Sequence, residues 1–484
     1  MKQTFFGNIL FLIVVNLLVK PFYLFGIDRE VQNTLPAGDY GLFATLFGFT
    51  FLFQIVNDFG IQGYNNRRIA QHSHLLAKYF GDFLVLKGVL GMVYVLVVAI
   101  AGAITGYLQA YPMLLGGILF NHFLTSLLLF LRSNVSGLAL YRTDSLLSIT
   151  DRLLLILLLG LLLYVPGWRT SLRLEWFVLA QTIALSATCL LALGVLIPRV
   201  KHIRWRFRPA LLLVILRQSY PYALVVFLMT LYTRIDSVMI ERLLPEGLLE
   251  VDRYASAYRL LDASNMIGYL FATLLLPMFA RQLRAGERPG ELAHFSARLL
   301  LSGALTLAAG VIMIRTPLME ALYTDGNAYS GQILAWLMVS FVGVCGTYVY
   351  GTLLTAAGDL MPLNRIFAVS VLVNVALNAL LIPQFGALGA AFATCITQVG
   401  VFLGQLWLAY RSLKLQAKPA TIVQLGILTS VLVLCVWGIP QWLSLDWYWQ
   451  LAVLLLFGFF TALLLGLIEV RSAFQLLSSN TGKD

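Results

Sequence analysis

The chain has 484 residues, 60% of them hydrophobic and only 11% charged, and its mean hydropathy is +0.85. Those values exclude a soluble globular protein, which would have too little polar surface to face water. The formal net charge of +11 does not point to nucleic acid, because no connection between apolar runs is long enough to form a basic soluble face.

The remaining class is an all-α polytopic membrane protein. Runs of about 20 apolar residues, the length a helix needs to cross the hydrocarbon, predict fourteen transmembrane helices. In chain order they are 7–27, 41–62, 83–105, 113–138, 146–167, 174–198, 217–239, 254–279, 295–314, 331–356, 363–383, 387–410, 420–439 and 448–469. The first reads as a retained span, because it is too long for a signal h-region and lacks a small-residue cleavage site.

Lysine and arginine in the connections set the orientation. With a cytoplasmic N-terminus, 22 of the 33 basic residues fall in inside segments, counting Arg152, Arg217, Arg298 and Arg365 at the inner ends of their spans, six fall outside, and the other five, Lys20, Lys87, Arg132, Arg234 and Arg259, are counted within the spans. Both termini are therefore expected in the cytoplasm, and the basic balance is mostly topology.

The starts of spans 7 to 12 follow those of spans 1 to 6 by 210, 213, 212, 218, 217 and 213 residues. A near-constant offset with an even number of spans per unit predicts two pseudo-two-fold related six-helix lobes, as in transporters that rock two halves about a central site. The expected organisation is an N-terminal lobe (1–198), a basic interfacial linker (199–216), a C-terminal lobe (217–410), and two additional helices with a cytoplasmic tail (411–484).

The spans carry polar residues where ionised side chains are costly, which marks them as functional candidates. In span 1, Asn16, Lys20 and Tyr23 share a face, and Pro21 predicts a bend with a freed backbone carbonyl. Gln54, Asn57 and Asp58 lie near the inner end of span 2, and Asn121, Thr125 and Arg132 stripe span 4. Spans 7 and 8 hold Arg234 and Asp236, then Arg259, Asp262 and Asn265 at helical spacing. Lys87, four residues into its span, fits a snorkelling side chain, and Asp28-Arg29-Glu30 fits a solvated helix end.

Lys20, Arg132, Arg234 and Arg259 outnumber the carboxylates Asp58, Asp236 and Asp262, an interior that favours an anion. Arginine's planar fork suits phosphate or pyrophosphate oxygens. The expected head-group site therefore comprises Lys20, Arg132, Arg234, Arg259, Asn16, Asn121 and Asn265. The three aspartates are candidates for an ion pair or for coupling to H⁺ or Na⁺. No catalytic residue, metal site or cofactor is expected: Cys189, Cys345, Cys395 and Cys435 all fall in spans without metal-ligand spacing, and no phosphate-binding GxxxxGK[ST] loop is present.

The stretches LPAGDYGLFATLFGFTFLFQIVNDFGIQGYNNRRIAQ (35–71), YTRIDSVMI, YASAYRLLD, LLLPMFA and NVALNALLIPQFGALGAAFATCITQ (374–398) resemble the polysaccharide flippases of the multidrug/oligosaccharidyl-lipid/polysaccharide superfamily. The resemblance spans nearly the whole chain and implies a fold shared with the drug/cation antiporters of that superfamily. It also implies alternating-access translocation of undecaprenyl-pyrophosphate-linked oligosaccharide in the bacterial cytoplasmic membrane, with membrane lipids and polysaccharide-assembly proteins as partners. By the resemblance Arg234 and Arg259 belong to the polar layer of spans 7 and 8, while Lys20 and Arg132 are nominated by position and chemistry. The competing expectations are a peptidoglycan lipid-precursor flippase, a drug/cation antiporter, and a membrane glycosyltransferase using Asp28 and Glu30.

Overall fold

The computed structural model describes residues 16, 18–61, 75–138, 140–165, 167–169, 172–200, 209–358, 360–416 and 418–468. The start of the first predicted span, the basic 65–71 loop, most of the first half of the linker and the tail lie outside them. Among the described residues the secondary structure is entirely helical, as lipid requires of a chain that must satisfy its own backbone.

A π-helical turn, Tyr23–Asp28, runs into α1 (Arg29–Thr34), followed by α2 (Asp39–Leu52), α3 (Gln54–Asp58), α4 (Leu75–Thr105), α5 (Tyr107–Ala110), α6 (Pro112–Gly137), α7 (Tyr141–Tyr164) and α8 (Leu174–Leu196). Then come α9 (Pro209–Leu243), α10 (Gly247–Arg284), α11 (Gly290–Met313), α12 (Arg315–Leu322), α13 (Ala328–Ala357), α14 (Leu360–Phe385), α15 (Ala387–Ser412), α16 (Pro419–Trp442) and α17 (Trp447–Leu464). Twelve of these helices are long and apolar enough to cross a membrane, and they coincide with predicted spans 3 to 14. The chain is a multi-pass membrane protein.

Three local features differ from the expectations. The helices of spans 7 and 8 extend well past the apolar runs, so residues 209–216, expected in the linker, are the first turns of α9. Beyond Pro21, where a bend was expected, the helix winds into a π turn over Tyr23–Asp28, which takes in one extra residue. Span 2 is not one helix. Phe53 leaves the helical region (φ −94°, ψ 4°) and separates α2 from α3. The Tyr94 hydroxyl donates to the Thr50 carbonyl at 2.9 Å, the acceptor an unbroken helix would offer to the Gln54 amide.

The chain forms two compact units, Met1–Ala255 and Ser256–Asp484, divided within α10. In the first, α6 packs on α8 and α2 on α9. Its core holds an aromatic cluster, including Tyr40, Phe43, Phe49, Tyr107 and Phe177, and a second cluster around Phe80, Phe83 and Phe130. Gly41 allows α2 to approach α10 closely, since a β-carbon there would overlap the Leu248 carbonyl.

In the second unit α13 is the central helix, held against α15 and α11. Gly346 leaves room for the Phe402 ring, which a β-carbon would displace. Only 11% of the most apolar window of α16 is buried. This helix and α17 join through α11, around Leu428, Leu432 and Leu454.

Candidate functional site

The first unit contains a cationic cluster where the N-terminal helix meets α6 and α7. Arg132 on α6 donates to Asp144 on α7 at 2.8 Å. Arg152 stacks over the Tyr23 ring with its guanidinium carbon 4.8 Å from the centroid, and Lys20 lies within electrostatic reach of Arg132, Arg152 and Asp151. Asn16 adds an amide that donates to Ser148 on α7 at 3.2 Å. Three cations thus meet two carboxylates, leaving one net positive charge beside the membrane-spanning helices.

Arg132 is therefore not the isolated cation expected from its own helix. Its partner is supplied by the next helix along. Arg152, which sequence reasoning left in an inside connection, joins the cluster. Its signal was present in the spacing of Asp144, Ser148 and Asp151, which follow one helix face at steps of four and three.

Asn121 lies elsewhere. Its amide donates to the Val178 carbonyl at 3.1 Å and its carbonyl accepts from Thr182 at 2.7 Å. It is a buried α6–α8 packing group rather than a pocket wall.

A second polar assembly surrounds the break in span 2. The His122 carbonyl accepts from the side-chain amides of Gln54 at 3.3 Å and Asn57 at 3.1 Å, so α6 holds the inner segment. Lys87 on α4, 1% exposed, pairs with Asp58 and donates to Ser126 at 2.8 Å. The snorkelling expected of Lys87 does not occur, because the half-buried Asp58 carboxylate and the buried Ser126 hydroxyl receive its ammonium group inside the bundle. Arg234 lies over the Phe47 and Phe51 rings at 6.0 and 5.8 Å, a cation–π arrangement. Asp236, 1% exposed, accepts from the Tyr254 hydroxyl at 2.7 Å.

The solvated helix end expected at Asp28 is also absent. Asp28 is 2% exposed and accepts from Tyr40 at 2.8 Å and Tyr23 at 3.4 Å. The π turn brings Tyr23 and Asp28, five residues apart, to the same side. Nearby, Asp252 accepts from the Gln32 amide at 2.5 Å and from the Gly38 backbone at 3.1 Å. Tyr107 donates to Glu241 at 2.5 Å, and Arg242 donates to the Thr105 carbonyl at 2.6 Å. These contacts form a latch joining α1, α2, α4 and α5 to the α9–α10 turn.

Arg259, Asp262 and Asn265 stand on α10 in the second unit, all partly exposed. The Asn265 side-chain oxygen is buried without a hydrogen-bond partner among the described residues. No group of three or more metal-ligating side chains occurs among the described residues.

A family model described as polysaccharide biosynthesis protein matches residues 6–283, and one described as lipid II flippase MurJ matches residues 153–460. No curated protein matches the chain. The fold is similar to that of a lipid II flippase MurJ in an inward closed conformation (TM-score 0.69, 13% identity, 97% of this chain and 100% of that one). It is also similar to an inward-facing multidrug resistance MATE family transporter (TM-score 0.62, 14% identity, 81% and 95%). A third similar structure is a superfamily transporter from Pyrococcus furiosus described as having a binding pocket of reverse polarity (TM-score 0.59, 14% identity, 84% and 96%).

Proposed function

This chain belongs to the polysaccharide biosynthesis and MurJ flippases of the multidrug/oligosaccharidyl-lipid/polysaccharide superfamily, and on that premise we propose that it carries an undecaprenyl-pyrophosphate-linked oligosaccharide repeat unit across the bacterial cytoplasmic membrane. The observation that carries this reading is the cluster of Lys20, Arg132 and Arg152 beside Asn16. A pyrophosphate head group brings oxygens that charge-assisted donors bind strongly, and arginine pairs with them through two parallel bonds.

On this reading the anion competes with Asp144 for Arg132, so the existing ion pair holds the guanidinium ready without fixing it permanently. Arg234, Arg259 and Asn265 are proposed to meet the head group along its path. The latch at Asp252 and Glu241 must release before the head group leaves by that end, which supplies the gate of an alternating-access cycle. Asp58, Asp236 and Asp262 are the carboxylates through which an H⁺ or Na⁺ gradient would act. Of these, Asp236 accepts from the Tyr254 hydroxyl inside the bundle.

On the same reading both termini lie in the cytoplasm, and polysaccharide-assembly proteins are the partners. The match of the MurJ model to residues 153–460 favours a second reading, in which the cargo is the peptidoglycan lipid precursor. The deciding experiment reconstitutes the protein in liposomes with each lipid-linked substrate in turn and follows its exposure to an external glycan-modifying enzyme. Exposure of the oligosaccharide lipid that falls in Arg152→Gln supports the proposal. Exposure of the peptidoglycan precursor alone replaces it with the second reading.

A further inference from the structure

Apart from the cationic cluster, the second unit contains a groove of about 310 Å³ lined by Ile312, Arg315, Gln332, Ala335, Trp336 and Val339. Arg315 stands two residues beyond Met313, where the apolar span of α11 ends, and therefore at the boundary between hydrocarbon and water. Gln332 occupies the same end on α13. Val339 lies seven residues further along that helix, about 10 Å deeper. The groove thus runs from a cation and an amide at the polar boundary down an apolar wall.

Arg315 is half-buried, and it donates to the Ile312 backbone carbonyl at 3.0 Å. Among the described residues no carboxylate lies within ion-pair distance of it. Trp336, whose ring is braced edge-on by Phe392 at 4.6 Å, forms a rigid side wall at the depth where tryptophan favours the membrane interface.

We propose that this groove is a binding site for an anionic glycerophospholipid of the surrounding bilayer, its phosphodiester on Arg315 and Gln332 and one acyl chain along Ala335, Trp336 and Val339. The charges select this occupant. One unpaired guanidinium matches one negative charge, and an arginine fork binds phosphate oxygens. A zwitterionic head would bring an ammonium group with no carboxylate in the lining to receive it. A prenyl phosphate or pyrophosphate would bring more negative charge than one cation offsets.

The test is native mass spectrometry of the full chain with phosphatidylglycerol, phosphatidylcholine and undecaprenyl phosphate titrated in turn. Phosphatidylglycerol is expected to be retained at least about tenfold more tightly than phosphatidylcholine, a preference of about 1.4 kcal/mol. Arg315→Gln should abolish that preference, Arg315→Lys should keep part of it, and Arg284→Gln, the same charge change elsewhere, should leave it intact. If Arg315→Gln does not fold, Val339→Trp decides, since it fills the groove while keeping the cation and should expel the lipid. Equal retention of the two phospholipids, undiminished preference in Arg315→Gln or Val339→Trp, or displacement of phosphatidylglycerol by equimolar undecaprenyl phosphate would overturn the assignment.

Discussion

Lys87 and Asp58 form an ion pair inside the first unit, joining α4 to the short inner segment of span 2, with Ser126 completing the ammonium's coordination. The break at Phe53 explains why this pair matters. A five-residue segment cannot hold itself in place by backbone bonds alone, so α3 relies on Lys87, on the His122 carbonyl and on its aromatic neighbours.

Lys87 is buried while the Asp58 side chain keeps 27% exposure, so removing the carboxylate leaves a buried ammonium uncompensated, at a cost of up to roughly 3–5 kcal/mol, and removing the lysine leaves a carboxylate that water can still reach. We therefore expect Asp58→Asn to lower the melting temperature of the purified protein sharply, Lys87→Met to lower it less, and the double variant to recover much of the Asp58→Asn loss. A thermal-shift series in one detergent checks this. Additive losses in the double variant would show that the two residues act independently.

The cationic cluster is expected to respond through transport rather than folding. Arg152→Gln should slow translocation of the pyrophosphate-linked lipid by about tenfold or more, which corresponds to about 1.4 kcal/mol, while membrane insertion and melting temperature stay near the parent values. Asp144→Asn should act in the opposite sense on binding, freeing Arg132 for the anion and lowering the substrate concentration needed for half-maximal flux. Initial-rate measurements over a range of substrate densities separate the two effects.

Cross-linking tests the latch. Cysteines replacing Gln32 and Asp252, whose side chains are in hydrogen-bond contact, are expected to form a disulfide under mild oxidation and to stop transport, with recovery after reduction. Full transport by the cross-linked protein would show that this end need not open.

Tyr94→Phe probes the interruption itself. Loss of the hydroxyl that occupies the Thr50 carbonyl should cost about 0.6 kcal/mol and at most about 1.7, the range found for hydrogen bonds between membrane helices. Amide exchange at Gln54 should slow if, without the hydroxyl, the Thr50 carbonyl passes from the Phe53 amide to that of Gln54 and the helix closes across Phe53.

Hydropathy alone located predicted spans 3 to 14, because an apolar run long enough to cross the bilayer has one stable backbone conformation there. The interruption at Phe53 was not legible, since FTFLFQIV is as apolar as an unbroken helix and the disruptive hydroxyl comes from Tyr94 on another helix. The same limit hid the partners of Lys87 and Arg132. A charge looks solitary when only its own helix is read, and Asp58 and Asp144 reach it through the rotation of neighbouring helices. Arg152 was within reach of the stripe argument, but its position at the edge of an apolar run assigned it to a connection.

The π turn at Tyr23–Asp28 gives the first helix two angular phases. An extra residue wound into a helix rotates everything beyond it by about 100° relative to what precedes it. Asn16 and Lys20 are phased toward α7, while Asp28 is phased toward Tyr40. Deleting a single residue within the turn would leave Asn16, Lys20 and Asp28 in the sequence and still swing one side of this pairing out of alignment, so the length of this segment constrains the protein as well as its composition.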